Sequence, residues 1–150
     1  MTAKFMSPLL AALILSQATG AFAAVNCGPI TDFSRSAYRW GTVDYISANG
    51  NSVRKGPERF LKGLRGALKS SRLSLKLGYS ISTSDAERAY WMKTYEKTQA
   101  LIVADSKKNA ALTNPKLIEE SQQQLANIYA QLATTSDGIL QSGCPGILLH

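Results

Sequence analysis

The sequence is poor in the side chains that most often perform catalysis or bind transition metals. Histidine occurs once, as His150, and cysteine twice, as Cys27 and Cys144. A Ser-His-Asp or Cys-His site needs a base that a third group holds in place, and His150 is the last residue, where a chain frays. One histidine and two cysteines also cannot supply the ligands of a typical zinc site. We therefore predict no catalytic histidine or cysteine, no metal site and no cofactor.

Nucleotide-binding and membrane-spanning patterns are missing as well. No G-x-G-x-x-G or G-x-S-x-G occurs, and Leu68 stands where a P-loop starting at Gly63 would need its second glycine. Beyond residue 23, no segment approaches the roughly 18 consecutive apolar residues of a membrane span. We expect this part of the chain to be soluble.

Carboxylates are the remaining candidates for catalysis, for example in hydrolysis of a cell-wall glycan. A glycosidase needs two carboxyl groups, one of them in an apolar setting. No such setting is evident around the four candidates, Asp44, Glu58, Asp85 and Glu87. Glu58 and Glu87 fall in first helical turns, where a carboxylate interacts favourably with the helix dipole. The sequence therefore favours a protein that is not an enzyme.

The first 23 residues have the pattern of a secretory signal peptide. Lys4 supplies a positive start, residues 9–15 form a short apolar core, and Ala21-Phe22-Ala23 fits the small-x-small cleavage rule. We expect cleavage after it, which leaves residues 24–150 as a single helical domain. The expected location is the periplasm or the outside of the cell.

Both cysteines lie beyond the predicted cleavage site. An even number of cysteines in an exported chain indicates pairing, so we predict a disulfide between Cys27 and Cys144. By the chain-entropy estimate, closing so long a loop contributes about 4 kcal/mol to stability. The alternative, a lipid-anchored Cys27, requires a small residue before the cysteine, and Asn26 is not one.

Apolar residues spaced for one side of a helix predict four helices and no long strand. The first helix starts at Thr31 or Asp32 and buries five residues: Phe33, Ala37, Trp40, Val43 and Ile46. Gly41 within this helix costs about 1 kcal/mol relative to Ala. Either the helix bends at Gly41 or another element packs closely against it.

Proline, glycine and capping residues place the other three helices. The second begins at Pro57 and ends at Gly78. The third follows the capping box formed by Ser84 and Glu87, and the fourth follows Asn114 with proline in its first position. Four helices with short connections and linked termini predict an all-α fold, a small single-domain helical bundle.

The stretch from Arg54 to Lys76 is strongly basic. It carries eight of the 16 Lys and Arg residues found after residue 23, and one acidic residue, Glu58. Removal of Lys4 lowers the formal charge from +7 to +6, and this excess favours anionic partners. Six basic residues share one side of the second helix, which we call the cationic ridge: Arg59, Lys62, Arg65, Lys69, Arg72 and Lys76.

Four interpretations of the cationic ridge are open. It is a solvated charged face, a surface for an acidic protein, a site for an anionic membrane or glycan, or a nucleic-acid site. Export and the scarcity of aromatic residues among the charges disfavour nucleic acid. The apolar side of the same helix is needed for the core, which weakens the membrane interpretation.

These observations favour an exported, non-enzymatic protein-binding factor that uses the cationic ridge. An inhibitor, an immunity-type protein and an accessory factor of an envelope machine all fit, with an acidic protein as the expected partner. One alternative is a secreted cationic effector that acts on a membrane or cell wall. Another is a small periplasmic chaperone that uncovers an apolar surface after a change in acidity or redox state.

Overall fold

The computed structural model describes residues 26–54, 56–106, 114–147 and 149. Within them no strand occurs, and apolar side chains of all four helices are buried in one cluster. Helix α1 consists of the α-helical Cys27–Arg39, a π-helical turn Trp40–Tyr45 and the α-helical Ile46–Arg54, and the other helices are α2 (Pro57–Ile81), α3 (Asp85–Ser106) and α4 (Pro115–Gln141). The predicted all-α bundle of four helices is confirmed.

Side-chain caps fix the beginnings of α3 and α4. Ser84 Oγ accepts a hydrogen bond from the backbone N–H of Glu87 at 3.2 Å. The Glu87 carboxylate accepts in return from the N–H of Thr83 at 3.0 Å, one residue earlier than in a standard capping box. Asn114 Oδ1 accepts from the N–H of Lys116 at 3.1 Å, so the predicted cap of α4 is confirmed.

Helix α1 begins earlier than predicted. Its N-cap is Asn26, whose Oδ1 accepts from the N–H of Gly28 at 3.2 Å. The prediction of Thr31 or Asp32 as the cap is wrong because the chain is already helical there. The Thr31 hydroxyl donates instead to the carbonyl of Pro145 at 3.0 Å, a contact between distant parts of the chain.

The second half of α1 contains the π-helical turn Trp40–Tyr45 and does not bury the residues that were predicted. A π turn holds one residue more than an α turn, so every following side chain is displaced around the axis by about 100°. Gly41 and Ala48 are buried, whereas Val43 and Ile46 are 54% and 59% exposed. Each step of three residues, from Trp40 to Val43 and from Val43 to Ile46, falls about 60° short of a full turn and so moves away from the buried side even in a regular α-helix. The prediction that Val43 and Ile46 are buried is therefore wrong.

The last described residues form a C-terminal strap, residues 144–147 and 149, which returns along α1. Ser34 Oγ donates to the carbonyl of Ile147 at 3.0 Å and accepts from its N–H at 2.6 Å. Leu149 packs on Gly41 so closely that a Cβ at residue 41 would overlap its side chain. Close packing, the second of the two explanations for Gly41, is confirmed.

The disulfide between Cys27 and Cys144 joins the beginning of α1 to the C-terminal strap. The two Sγ atoms are 2.10 Å apart and the Cα atoms 5.4 Å apart, so the predicted pairing is confirmed. A structural disulfide is consistent with an oxidising compartment. The predicted signal peptide, residues 1–23, lies outside the described residues, and export stays a prediction.

Helix α2 lies at the centre of the bundle and packs against α1, α3 and α4. Its predicted apolar side is buried, with Leu61, Leu64, Leu68 and Leu75 in the core. The helix does not end at Gly78, as predicted, but continues to Ile81. Gly78 is explained by the indole of Trp91 on α3, which lies directly against it.

Candidate functional site

The six residues of the cationic ridge all lie on α2, in unequal surroundings. Two of them, Arg65 and Arg72, are half-buried. The other four are exposed: Arg59, Lys62, Lys69 and Lys76. The cationic ridge is therefore not uniformly exposed to solvent, and its residues differ in their contacts with the rest of the bundle.

Arg65 faces α3 and forms an ion pair with Asp105. The distance from Arg65 Nε to Asp105 Oδ2 is 2.5 Å, and the two side chains are 28% and 13% exposed. At this degree of burial the opposite charges are only partly screened by solvent. Arg65 is therefore already paired within the bundle and is less available to a partner than the rest of the cationic ridge.

Arg72 and Lys76 are held by contacts with the bundle that leave their charge uncompensated. Arg72 Nε donates to the backbone carbonyl of Lys69 at 3.0 Å. Lys76 Nζ lies 5.6 Å from the centre of the Tyr95 ring, within reach of a cation–π interaction. These contacts restrict both side chains, so less conformational entropy is lost when an anion binds them.

Two basic residues of α1 face the same depression as the C-terminal half of the cationic ridge. This depression, which we call the basic groove, has a volume of about 960 Å³. Its basic residues are Arg35 and Arg39 from α1 and Lys69, Arg72 and Lys76 from α2. Reasoning about one helix at a time missed Arg35 and Arg39, although their spacing of four residues places them on one side of α1.

The walls of the basic groove are held at a fixed separation by polar contacts between α1 and α2. Ser36 Oγ and Ser74 Oγ are hydrogen-bonded at 2.8 Å. The buried indole of Trp40 donates from Nε1 to the carbonyl of Ala67 at 2.9 Å. Because both bonds join the two walls directly, the basic side chains are displayed on a rigid frame.

The basic groove retains an excess of positive charge. Its two acidic residues are Asp32 and Asp44, against five basic ones. Among the described residues only Arg35 of the five has an ion-pair partner, Asp32 at 4.0 Å, and both side chains are largely exposed. Such an exposed and distant pair is weak in water, so it does not cancel the local field.

An apolar surface lies within the ring of charges. Leu73, between Lys69 and Lys76 on α2, is 60% exposed. Leu77 and Tyr95 also line the basic groove and are half-buried. Exposed apolar area surrounded by like charges is typical of a surface that binds an amphipathic partner.

The N-terminal half of the cationic ridge borders a second, shallower depression. Arg59 and Lys62 line it with Gly66 on α2, and Asp44 and Ser47 line it from α1. Asp44 therefore lies between this depression and the basic groove. The ridge is divided into two basic areas that a partner could contact separately.

Two of the four carboxylates considered for catalysis, Asp85 and Glu87, have structural contacts. Glu87 caps α3, and Asp85 binds Arg88 at 2.5 Å on the same helix. Asp44 lines the two basic depressions, and Glu58 lies exposed in the first turn of α2. In the part of the chain that the structure describes, no three His, Cys, Asp or Glu residues are grouped to hold a metal ion.

Comparison of the chain with protein-family models, with curated proteins and with solved structures finds no match. Within the described ranges, no helix is both long and apolar enough to cross a membrane. What the chain binds is therefore inferred from the chemistry of its own surface.

Proposed function

We propose that the protein is an exported, non-enzymatic binding protein whose basic groove holds an acidic segment of a partner protein. The observation that supports this function is the convergence of five basic side chains from two helices around the exposed Leu73. Cations steer and orient an acidic segment, while an apolar side chain of that segment packs on Leu73. An inhibitor, an immunity-type protein or an envelope accessory factor would act in this way.

The mixed charge of the basic groove favours a protein over a membrane or a nucleic acid. An anionic bilayer and a DNA duplex present dense negative charge, which Asp32 and Asp44 would repel. A protein segment can place a Lys or Arg opposite each of these two carboxylates. The concave form of the groove also suits a helix or an extended segment better than a flat bilayer.

A periplasmic or secreted location belongs to the same proposal. The disulfide between Cys27 and Cys144 supports it, because such bonds persist in oxidising compartments. The pattern of residues 1–23 supports it independently.

The proposal is tested by titrating the protein with short fluorescent peptides rich in glutamate, with either leucine or alanine at the centre. Fluorescence anisotropy at several salt concentrations should show saturable binding that weakens as salt rises. The leucine peptide should bind more tightly than the alanine peptide because leucine buries more apolar area on Leu73. Vesicles containing phosphatidylglycerol and a DNA duplex serve as the competing anionic ligands.

Two variants with the same change of net charge distinguish binding in the basic groove from non-specific electrostatic attraction to the whole protein. Replacing Arg39, Lys69 and Arg72 by Glu should weaken peptide binding by about tenfold or more. The control replaces three exposed lysines outside the groove by Glu: Lys93, Lys97 and Lys116. Equal losses in the two variants would show that the cationic ridge is a solvated face, and tighter binding to vesicles would favour a membrane-active effector.

A further inference from the structure

A second cavity, independent of the basic groove, lies where the C-terminal end of α2 meets α3 and α4. We call it the apolar cavity; its volume is about 570 Å³, within the usual range of small-ligand sites. Among the residues that line it are Ile81, Tyr90, Trp91, Gln131, Thr135 and Ile139. None of the side chains that line it also lines the basic groove.

Gln131 is the unusual residue of the apolar cavity. It is 7% exposed, and both its amide nitrogen and its amide oxygen lack a hydrogen-bond partner among the described residues. A buried amide without partners costs folding free energy, and such groups are rare in natural proteins. The cost is offset where a ligand supplies the missing bonds, so Gln131 marks the cavity as a site.

Gln124, two helical turns earlier on α4, shows that the bundle can satisfy a buried glutamine. It is 2% exposed, and its amide nitrogen donates to the Thr94 carbonyl at 3.2 Å and to Thr98 Oγ1 at 3.1 Å. Both glutamines are buried on the same helix, and only the one that lines the cavity lacks partners. Gln124 is therefore an internal reference for Gln131.

The rest of the apolar cavity defines what would enter it. Trp91 is fixed between Gly78 and Phe33, whose ring it meets edge to face at 5.8 Å, so this wall is rigid. Glu87 is the one charged side chain among the described residues that line the cavity, and it is engaged as a cap by Thr83. The cavity therefore suits an uncharged, largely apolar ligand.

We propose that the apolar cavity binds a neutral ligand that carries an apolar group next to an amide, the chemistry of one peptide unit with an aliphatic side chain. The ligand carbonyl accepts from the Gln131 amide nitrogen, and the ligand N–H donates to its amide oxygen. Gln131 lines the cavity, but both amide atoms are shielded from solvent, so the side chain must change rotamer to turn its amide toward the ligand. The aliphatic group packs against Trp91 and Ile139.

The test is an NMR titration of the oxidised, ¹⁵N-labelled protein with N-acetyl-leucine N-methylamide. Saturable shifts are expected at the side-chain amide of Gln131 and the indole N–H of Trp91, with little change at the side-chain amide of Gln124. The corresponding diester, methyl 2-acetoxy-4-methylpentanoate, has oxygen in place of both N–H groups and should bind about tenfold more weakly. The free amino acid leucine, which is charged at both ends, should not bind.

Gln131→Met keeps the size of the side chain and removes both hydrogen-bonding groups. It should fold normally and lose at least about tenfold in affinity for the N-methylamide, whereas the same substitution at Gln122, which is exposed on α4 and outside the cavity, should leave binding unchanged. Unchanged binding by Gln131→Met would overturn the proposal. The absence of a saturable response would also overturn it. So would NMR contacts between Gln131 and a bound water that stay unchanged when the probe is added, because an internal water would then be the partner of Gln131. Neither result bears on the basic groove, which is tested with other residues and other probes.

Discussion

The indole ring of Trp91 lies on Gly78 at a distance that no larger residue could accept. A Cβ at residue 78 would come within 2.6 to 2.7 Å of three atoms of the ring. The contact is buried, and Trp91 also packs edge to face against Phe33. The absence of a side chain at residue 78 therefore sets how closely α2 and α3 approach.

Replacing Gly78 by Ala is expected to destabilise the protein, although alanine has a higher intrinsic helix propensity than glycine. Overpacking of a rigid ring costs about 1–3 kcal/mol, more than the roughly 1 kcal/mol that alanine gains over glycine in a helix. Urea unfolding followed by Trp fluorescence measures the difference.

Gly66 on the same helix is the matched control. A Cβ there would meet no atom within 4 Å, so Gly66→Ala should stabilise the protein by up to about 1 kcal/mol. If the two substitutions shift the unfolding midpoint in the same direction, the close contact between Gly78 and Trp91 does not limit the packing of the helices.

The ion pair of Arg65 with Asp105 should contribute to stability and not to partner binding. Because the pair is only partly exposed, removing either charge is expected to cost about 1–2 kcal/mol, more than at a typical surface pair. A double-mutant cycle with Arg65→Met and Asp105→Asn in urea gives the coupling energy.

Arg65→Met should leave affinity for the acidic peptide within about twofold, whereas Lys69→Met should reduce it. A larger loss with Arg65→Met than with Lys69→Met would place Arg65 in the binding surface.

Gln131 and Gln124 should respond oppositely to the same substitution. Gln131→Met removes two buried groups without partners and should raise the free energy of unfolding by about 1–2 kcal/mol. Gln124→Met breaks bonds to Thr94 and Thr98 and should lower it by a similar amount. Calorimetry of the two variants decides the matter, and a loss of stability in both would show that Gln131 has a partner in solution.

The disulfide and the C-terminal strap should act as one unit. Reduction of Cys27 and Cys144 is expected to lower stability by about 4 kcal/mol on the chain-entropy estimate. Ser34→Ala, which removes both bonds to Ile147, should cost about 1 kcal/mol in the oxidised protein. Its effect should shrink after reduction, because the strap is then no longer held against α1. Urea unfolding with and without reductant tests this, and equal effects of Ser34→Ala would separate the strap from the disulfide.

Local signals in the sequence were sufficient for the number of helices, for the beginnings of α3 and α4 and for the disulfide. Capping by Ser84 and Asn114 depends on neighbouring residues alone, and the apolar side of α2 follows one regular period. The pairing of Cys27 with Cys144 followed from the even number of cysteines. Each of these features is visible without knowledge of how the helices pack.

Features that depend on packing were missed. The π-helical turn of α1 was not predicted, since apolar spacing does not show an inserted residue, and Val43 and Ile46 were wrongly assigned to the core. Gly78 resembled a helix end because its neighbour Trp91 lies on another helix. The basic groove needs Arg39 beside Lys69, and only the placement of α1 against α2 brings them together.

The C-terminal strap and its disulfide have a mechanical consequence. Cys27 and Cys144 are 117 positions apart in the chain, yet their Cα atoms are 5.4 Å apart. A pull between the segment before Cys27 and the segment after Cys144 is therefore carried by one covalent bond and bypasses all the residues between them. Tension would remove Leu149 from Gly41 and Ile147 from Ser34 and would stop at the disulfide, so the helices that form the basic groove would keep their shape under load.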